Sequence, residues 1–490
     1  MTSTNSQTDS QTDSQTDSPT DSPTDSPTDG PGPIAAPDKP LWGEQTELSR
    51  RFFAIGRQRM PIEIIHAVAE IKRAAAEVNH ELGLLDPAKA TAISAAAARV
   101  AAGKFDTQFP LSVWQTGSGT QSNMNVNEVV ASLACLSLEG TPDGTLESTL
   151  DRKRLVHPND DVNLGQSTND VFPTAMHLAV VLRSRPLLFA LESLRGILRA
   201  KATAYAGVIK VGRTHLQDAT PVTLGQEFGG YDAPLAVAER ALRHALPDLH
   251  ALAIGGTAVG TGLNTHREFG ARVAARLSTQ LNAPFVVATN LFAAMAGHEA
   301  LVVFHGAMKT LAVALNKIAN DIRLMGSGPY AGLGELRLPA NEPGSSMMPG
   351  KVNPTQVEAL TMVCAQVMGH DVAVGIAAGQ GQFELNAYKP LIAYNVLDSL
   401  HLLTDAMTSF ATHCVEGLEP ELARMQALLE RSLMLVTALA PHIGYDRAAR
   451  IAKHAQASGM SLREAALAVG GVSASDFDAW ADPARMLGPA

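Results

Sequence analysis

From Thr289 to Met325 the chain reads TNLFAAMAGHEALVVFHGAMKTLAVALNKIANDIRLM, a run with apolar residues at helical spacing and no proline. That pattern predicts the longest helix of the chain, and a helix of such length belongs in a bundle rather than in a compact mixed domain. Its charges, among them Glu299, Lys309, Lys317 and Asp321, recur too often for a membrane span. Similar segments cover roughly 355–377 and 391–413, and alanine on several faces lets neighbouring helices approach closely. One thin bundle cannot cover this much apolar surface, so the expectation is a subunit that packs helix against helix with copies of itself. A monomer in sedimentation at micromolar concentration would remove that expectation.

Elsewhere the reading is also helical. PIEIIHAVAEIKRAAAEVNHEL (61–82) carries the same periodicity after a proline suited to a first turn, and KATAISAAAARVAAG repeats it up to Gly103. From Asp170 to Ala206 an apolar run is broken mainly by Pro173 and Pro186. Hydrophobic residues make up 46% of the 490 but aromatics only 5%, so the core rests on Ala, Leu and Val, which suits close helix packing. After about residue 420 short amphipathic segments joined by Gly and Ser suggest a small separate unit. Residues 6–29 repeat SQTD and then SPTD; such a tail cannot bury a core and is expected to be disordered. Its first basic residue is Lys39 and no apolar run precedes it, which argues against a secretory signal or a transit peptide. Cys135, Cys364 and Cys414 are too sparse and scattered for a metal motif and fit buried free thiols in a reducing compartment. The net charge of −10, with no basic block, argues against nucleic acid or an anionic membrane as partner, while a small anionic substrate stays possible.

Four polar stretches interrupt this plain helical background. NEPGSSMMPGKVNPTQVE (341–358) first suggests a phosphate cradle, but five residues separate Gly344 from Gly350 and Val352 follows Lys351 where a P-loop needs a hydroxyl. Read without that template, the loop offers Ser345 and Ser346, then Lys351 and Asn353, flanked by glycines that admit a ligand to backbone amides. An ordinary polar turn with capping serines is the competing reading. TGSGTQSNMNVNE (116–128) has no charge before Glu128; HPNDDVNLGQSTND (157–170) sets Ser167, Thr168 and Asn169 after His157; GRTHLQDATPVTLGQE (212–227) holds Thr214 and His215. Neutral donors in this number are what a site needs to hold a dianion and stabilise further negative charge as it develops.

The motif GSSMMPGKVNP resembles the signature loop of the aspartase/fumarase superfamily, and the likeness extends from about Leu41 to the C-terminus. Together with TGSGTQSNMNVNE, HPNDDVN, GRTHLQDATP and GTAVGTGLNTH (256–266), it is similar to the class II, iron-independent fumarate hydratases. His215 in GRTHLQD and the run PGKVNPTQVE separate it from the aspartases of the same superfamily. The resemblance implies a mainly α, three-domain subunit with a central long-helix bundle, a twenty-helix core in a homotetramer and active sites shared by three subunits. It implies a tail over 1–40, an N-terminal domain over 41–166, a central helical-bundle domain over 167–422 and a small C-terminal helical domain over 423–490.

The reaction implied is the reversible hydration of fumarate to (S)-malate in the tricarboxylic acid cycle, in the cytoplasm, without metal or cofactor and without nucleic-acid or membrane partners. Carried over by motif, Ser345 would be the base at C3, His215 would protonate the departing hydroxyl, and Glu358 would hold the charge state of His215. Ser118, Gly119, Thr120, Ser167, Thr168, Asn169, Thr214, Ser346, Lys351, Val352 and Asn353 match substrate-binding positions. His157, Pro158, Asn159 and Asp160 match the family's second, non-catalytic dicarboxylate site. The alternatives are an aspartate ammonia-lyase-like member and a non-catalytic scaffold protein. Departures are small: Thr168 stands where serine is common, Met347 where isoleucine is familiar, and 140–155 looks slightly long.

Overall fold

The computed structural model describes residues 40–139, 155–469 and 471–489. The repeated N-terminal tail and nearly all of the long segment 140–155 lie outside the described residues. Helices dominate. The N-terminal part holds α1 (Glu44–Phe52), α2 (Ile62–Glu81), α3 (Pro87–Ala101) and α4 (Thr120–Leu138), with α2, α3 and α4 packed on one another. Glu128, nearly buried on α4, fixes the first turn of α1: its carboxylate accepts from the amides of Gly43 (2.9 Å), Gln45 (3.0 Å) and Thr46 (3.2 Å) and from the Thr46 hydroxyl (2.6 Å). Those amides are the donors a helix start leaves unpaired.

The central part is a ring of five helices. α5 (Thr168–Ala204) packs on α6 (Leu224–Ala245), α6 on α9 (Glu299–Met325), α9 on α10 (Thr355–Ala378), α10 on α11 (Lys389–Phe410), and α11 returns to α5. Between these helices come a two-stranded antiparallel hairpin, β1 (Ile209–Thr214) with β2 (Gln217–Thr223), and two further helices, α7 (Phe269–Leu281) and α8 (Leu291–Ala296). Leu178, Leu191, Phe228, Leu235, Phe304, Leu311, Leu315, Ile318, Leu400 and Leu403 are fully buried in one continuous core. A second, smaller apolar cluster joins Leu429, Leu439, Ile451, Leu462, Ala466 and Phe477 of the C-terminal part to Val211 on β1. The hairpin is therefore held from below by the C-terminal helices.

Two sequence expectations need correction. The signal over Thr289–Met325 is not one helix. Asn290 caps α8 through the Ala293 amide (3.0 Å), and Gly297 turns to extended backbone (φ −109°, ψ 152°) before α9 starts at Glu299. The sequence hides such a break because the apolar spacing holds within each helix on either side of it, whatever the angle between the two. Conversely, α5 runs through both Pro173 and Pro186 without interruption. Each proline removes a backbone donor and costs roughly 3 kcal/mol in an isolated helix. Here the hydroxyls of Thr174 and Ser184 donate to the carbonyls of Asp170 and Val181 beside those sites (2.7 Å each), and packing on two bundle neighbours holds the rest.

α5, α9 and α10 have the length and apolar character of membrane spans, but over half of the apolar windows of α5 and α9 is buried inside the bundle. α10 differs: only 28% of its window is buried. Met362, Val372 and Ile376 on α10 and Val303 and Val313 on α9 are each more than half exposed. The single chain thus leaves a broad apolar face uncovered on one side of its bundle.

Candidate functional site

The stretch 116–120 is a tight turn into α4. Gly117 lies so close to Ala387 that a β-carbon would overlap its carbonyl oxygen, and the Gly117 carbonyl accepts from the Lys389 amide (3.0 Å) at the start of α11. Gly119 takes φ 81° as the residue before α4, beside the Phe172 ring, where only glycine fits without strain. The hydroxyls of Ser118 and Thr120 meet at 2.7 Å, half-buried. Gln121 and Gln115 hold the turn by accepting from the amides of Thr116 (2.7 Å) and Ser122 (3.1 Å).

Ser167, Thr168 and Asn169 open α5. Ser167 caps the helix in a reciprocal box with Asp170, its hydroxyl accepting from the Asn169 amide (3.2 Å). Asp170 is fully buried and accepts from the amides of Ser167 (2.9 Å), Gly255 (3.0 Å) and Thr257 (3.0 Å). Burial pushes its carboxyl up to about 6 against the pull of those amides. It thereby locks the 255–257 turn to the helix start, and Asn169 adds a bond to the Ala258 carbonyl (2.8 Å). Asn123 on α4 donates to the Thr168 hydroxyl oxygen (2.9 Å), so the segments 116–123 and 167–170 form one polar unit.

Thr214 and His215 sit at the exposed tip of the β1–β2 hairpin. His215 (φ 58°) and Leu216 (φ 60°) are both left-handed, the backbone a two-residue hairpin turn requires but side chains other than glycine or asparagine resist. An ion network just below holds this tip. Glu335, fully buried, takes two bonds from the Arg213 guanidinium (2.9 Å each) and stands 3.2 Å from the Lys210 ammonium, which also meets Glu227 at 2.8 Å. Burial pushes the Glu227 carboxyl upward although Lys210 pulls it down.

In the segment 341–358 the backbone folds on itself. A β-carbon on Gly344 would overlap the Lys351 carbonyl, and Asn353 donates to the Gly344 carbonyl (2.5 Å). The Ser345 oxygen accepts from two consecutive amides, those of Met347 and Met348, at 3.1 Å each. Both of its amide partners are donors, so negative charge on that oxygen is favoured. Ser346, Lys351 and Val352 are exposed beside it, and Glu358 is exposed in the first turn of α10. His157 and Asp160 stand exposed next to one another, the His157 Nδ1 accepting from the amides of Asn159 (3.3 Å) and Asp160 (3.1 Å), with Pro158 buried behind them.

Among the described residues of one chain, no hydrogen bond or ion pair joins the side chains of His215, Lys351 or Glu358 to Ser118, Thr120, Ser167, Thr168 or Asn169. The fold ties 116–123 to 167–170 and leaves the hairpin tip and residues 346–352 exposed. Three buried groups that organise these segments were not singled out in the sequence: Asp170, Asn123 and Glu335. The signal for Asp170 was its place three residues after a capping serine; Glu335 sits in an ordinary-looking GLGELRLP, and nothing local marks it.

Comparisons with known proteins show the family of the chain. The profile of the family described as Lyase matches residues 32–369, and that described as Fumarase C C-terminus matches 435–488. A fumarate hydratase class II of Chromobacterium violaceum is 61% identical over 93% of this chain and 97% of its own length, and that of Thermosynechococcus vestitus is 58% identical over 93% and 96%. Among solved structures, a class II fumarase from Schistosoma mansoni superposes with a TM-score of 0.86 at 43% identity, covering 92% of this chain and 96% of that one.

Proposed function

Because the chain belongs to the class II fumarate hydratases, hydro-lyases that add water reversibly to fumarate, we propose a division of labour among its polar segments in which Ser345 is the base that takes the C3 proton of (S)-malate. The observation that carries this is the pair of amides on the Ser345 oxygen at 3.1 Å. A serine hydroxyl is a feeble base at neutral pH; its alkoxide needs donors already in place, and two backbone N–H groups with the Lys351 charge on the same loop supply them. The electrons left at C3 move onto the neighbouring carboxylate as an aci-carboxylate. That dianionic centre is what the neutral donors Ser118, Thr120, Ser167, Thr168, Asn169, Thr214, Ser346 and Asn353, with the backbone at Gly119 and Val352, hold and stabilise. His215 gives a proton to the departing hydroxyl from the other side, with Glu358 maintaining its charge state.

Among the described residues of one chain no hydrogen bond or ion pair joins His215, Lys351 or Glu358 to the 118–120 and 167–169 segments, and the exposed apolar face of α9 and α10 gives copies of the chain a reason to associate. Both support a homotetramer with a twenty-helix core whose active sites are shared by three subunits. His157, Pro158, Asn159 and Asp160 form the second dicarboxylate site in this reading. Three free cysteines, two of them buried with thiols pushed up to about 12 by burial, support the cytoplasm as the setting.

The test is Ser345→Ala assayed by the ultraviolet absorbance of fumarate. Circular dichroism and assembly are expected to match the wild type while turnover falls by orders of magnitude; an unchanged rate refutes the base. His215→Asn is expected to lose turnover with modest change in affinity, and a collapse of binding alone would make His215 a structural residue. Adding ammonium to the fumarate assay separates the ammonia-lyase alternative, since only that reaction consumes it.

A further inference from the structure

Under the segment Asn163–Asn169 lies a lysine with no part in the division of labour above. Lys72, on α2, is fully buried, and its ammonium donates to the side-chain oxygens of Asn163 (2.8 Å) and Gln166 (3.0 Å). Among the described residues it makes no ion pair. The acid that acts on it is Asp170, already committed to three backbone amides. A cation buried among neutral oxygens is costly, and burial pushes this amine down to about 7. Such a group calls for a reason beyond tying α2 to a turn, which an amide side chain could do.

The hydrogen bonds lead outward from it. The Asn163 oxygen that takes the Lys72 proton also accepts from Asn123 (3.3 Å) and Asn127 (3.4 Å), and Asn123 donates to the Thr168 hydroxyl oxygen (2.9 Å). With its oxygen used as acceptor, the Thr168 hydroxyl has its own proton left to give. We infer that Lys72 is a positioning residue for substrate: through Asn163 and Asn123 it sets Thr168 as a hydrogen-bond donor, and its buried charge under Ser167–Asn169 favours doubly charged four-carbon acids over singly charged ones. The inference rests on the reading that Ser167–Asn169 bind substrate. It extends that reading from the residues that touch the acid to the charge beneath them.

The experiment, run at pH 6.5 where an amine at about 7 is mostly protonated and succinate mostly doubly charged, compares inhibition by succinate with butyrate, a monoanion of the same length, in wild type and in Lys72→Met, a substitution of similar volume. Loss of a nearby charge in a poorly solvated site is expected to raise the succinate inhibition constant and the fumarate KM about tenfold or more. The butyrate constant should move less than about twofold and kcat less than about fivefold. Equal weakening of both acids, or of neither, overturns the inference, because a purely structural lysine would not distinguish them. Where Lys72→Met does not assemble, Asn123→Ala keeps the charge and removes the bond to Thr168; a rise of about threefold for both acids, with their ratio unchanged, supports the relay, and unchanged affinity for both overturns it. Thr168→Val is measured alongside. Unchanged succinate affinity there removes the substrate-binding reading itself, whereas weakened Thr168→Val beside unaffected Lys72→Met removes this inference alone.

Discussion

Replacing Glu335 by Gln tests how the hairpin tip is held. The carboxylate is wholly buried and faces two cations, receiving two bonds from Arg213 at 2.9 Å and lying 3.2 Å from Lys210. Glutamine keeps one acceptor, turns the other oxygen into a donor aimed at a guanidinium or ammonium, and leaves both cations short of their countercharge. Glu227 offsets part of the loss for Lys210 at 2.8 Å but makes no hydrogen bond to Arg213. Removing one partner of a buried ion pair costs about 3–5 kcal/mol, because the remaining charge stays buried. Each charge-assisted bond alone is worth about 1.5–3 kcal/mol, so two bonds to Arg213 account for a loss of that size.

Arg213 is two residues before His215, and the left-handed residues 215 and 216 are themselves strained by roughly 1–3 kcal/mol each. Without the tether the tip is expected to relax, lowering kcat about tenfold or more with KM changed less than about threefold. The readouts are the urea midpoint by circular dichroism at fixed protein concentration and fumarate turnover by absorbance. Glu335→Asp, which keeps the charge on a shorter arm, should recover part of both. A stability within about 1 kcal/mol of wild type would refute the energetic argument. Lost stability with unchanged kcat in the folded fraction would refute the link to His215.

Gly117→Ala places a methyl group against the Ala387 carbonyl; the turn must shift, and kcat/KM for fumarate should fall about 100-fold with the helical content intact, a normal value showing that the turn can yield. His298 is buried, neither of its ring nitrogens is bonded among the described residues, and burial holds its pKa well below the ordinary histidine range. The unfolded chain then takes up a proton near pH 6.5 that the folded one refuses, so stability is lost as pH falls below about 6.5. His298→Leu should leave stability at pH 7 within about 1 kcal/mol and flatten that acid-side loss in urea midpoints between pH 5 and 7; an equally steep loss would mean that other groups carry it.

The helices of the bundle were legible because apolar spacing along α2, α3, α9, α10 and α11 is a local property that packing only ratifies. The polar segments were legible for the same reason: Ser345, His215, Ser167–Asn169 and Ser118–Thr120 announce themselves by composition against an alanine-rich background. The break at Gly297 was not, since a single extended residue leaves the apolar periodicity intact on either side. Nor was the passage of α5 through Pro173 and Pro186, where bundle contacts outweigh a local penalty that the sequence states correctly.

By itself the sequence determined which stretches are helix, which carry hydroxyls and carboxamides, and the family to which the chain belongs. Only the tertiary structure decided what each charge answers to. Glu128 serves α1, Asp170 gathers three amides, Glu335 anchors the hairpin from 122 residues away, and Lys72, with no ion pair among the described residues, donates to Asn163 and Gln166. The physical reason is that burial and partnership set the meaning of an ionisable side chain, and both arise from contacts between segments far apart in the chain, which no local pattern encodes.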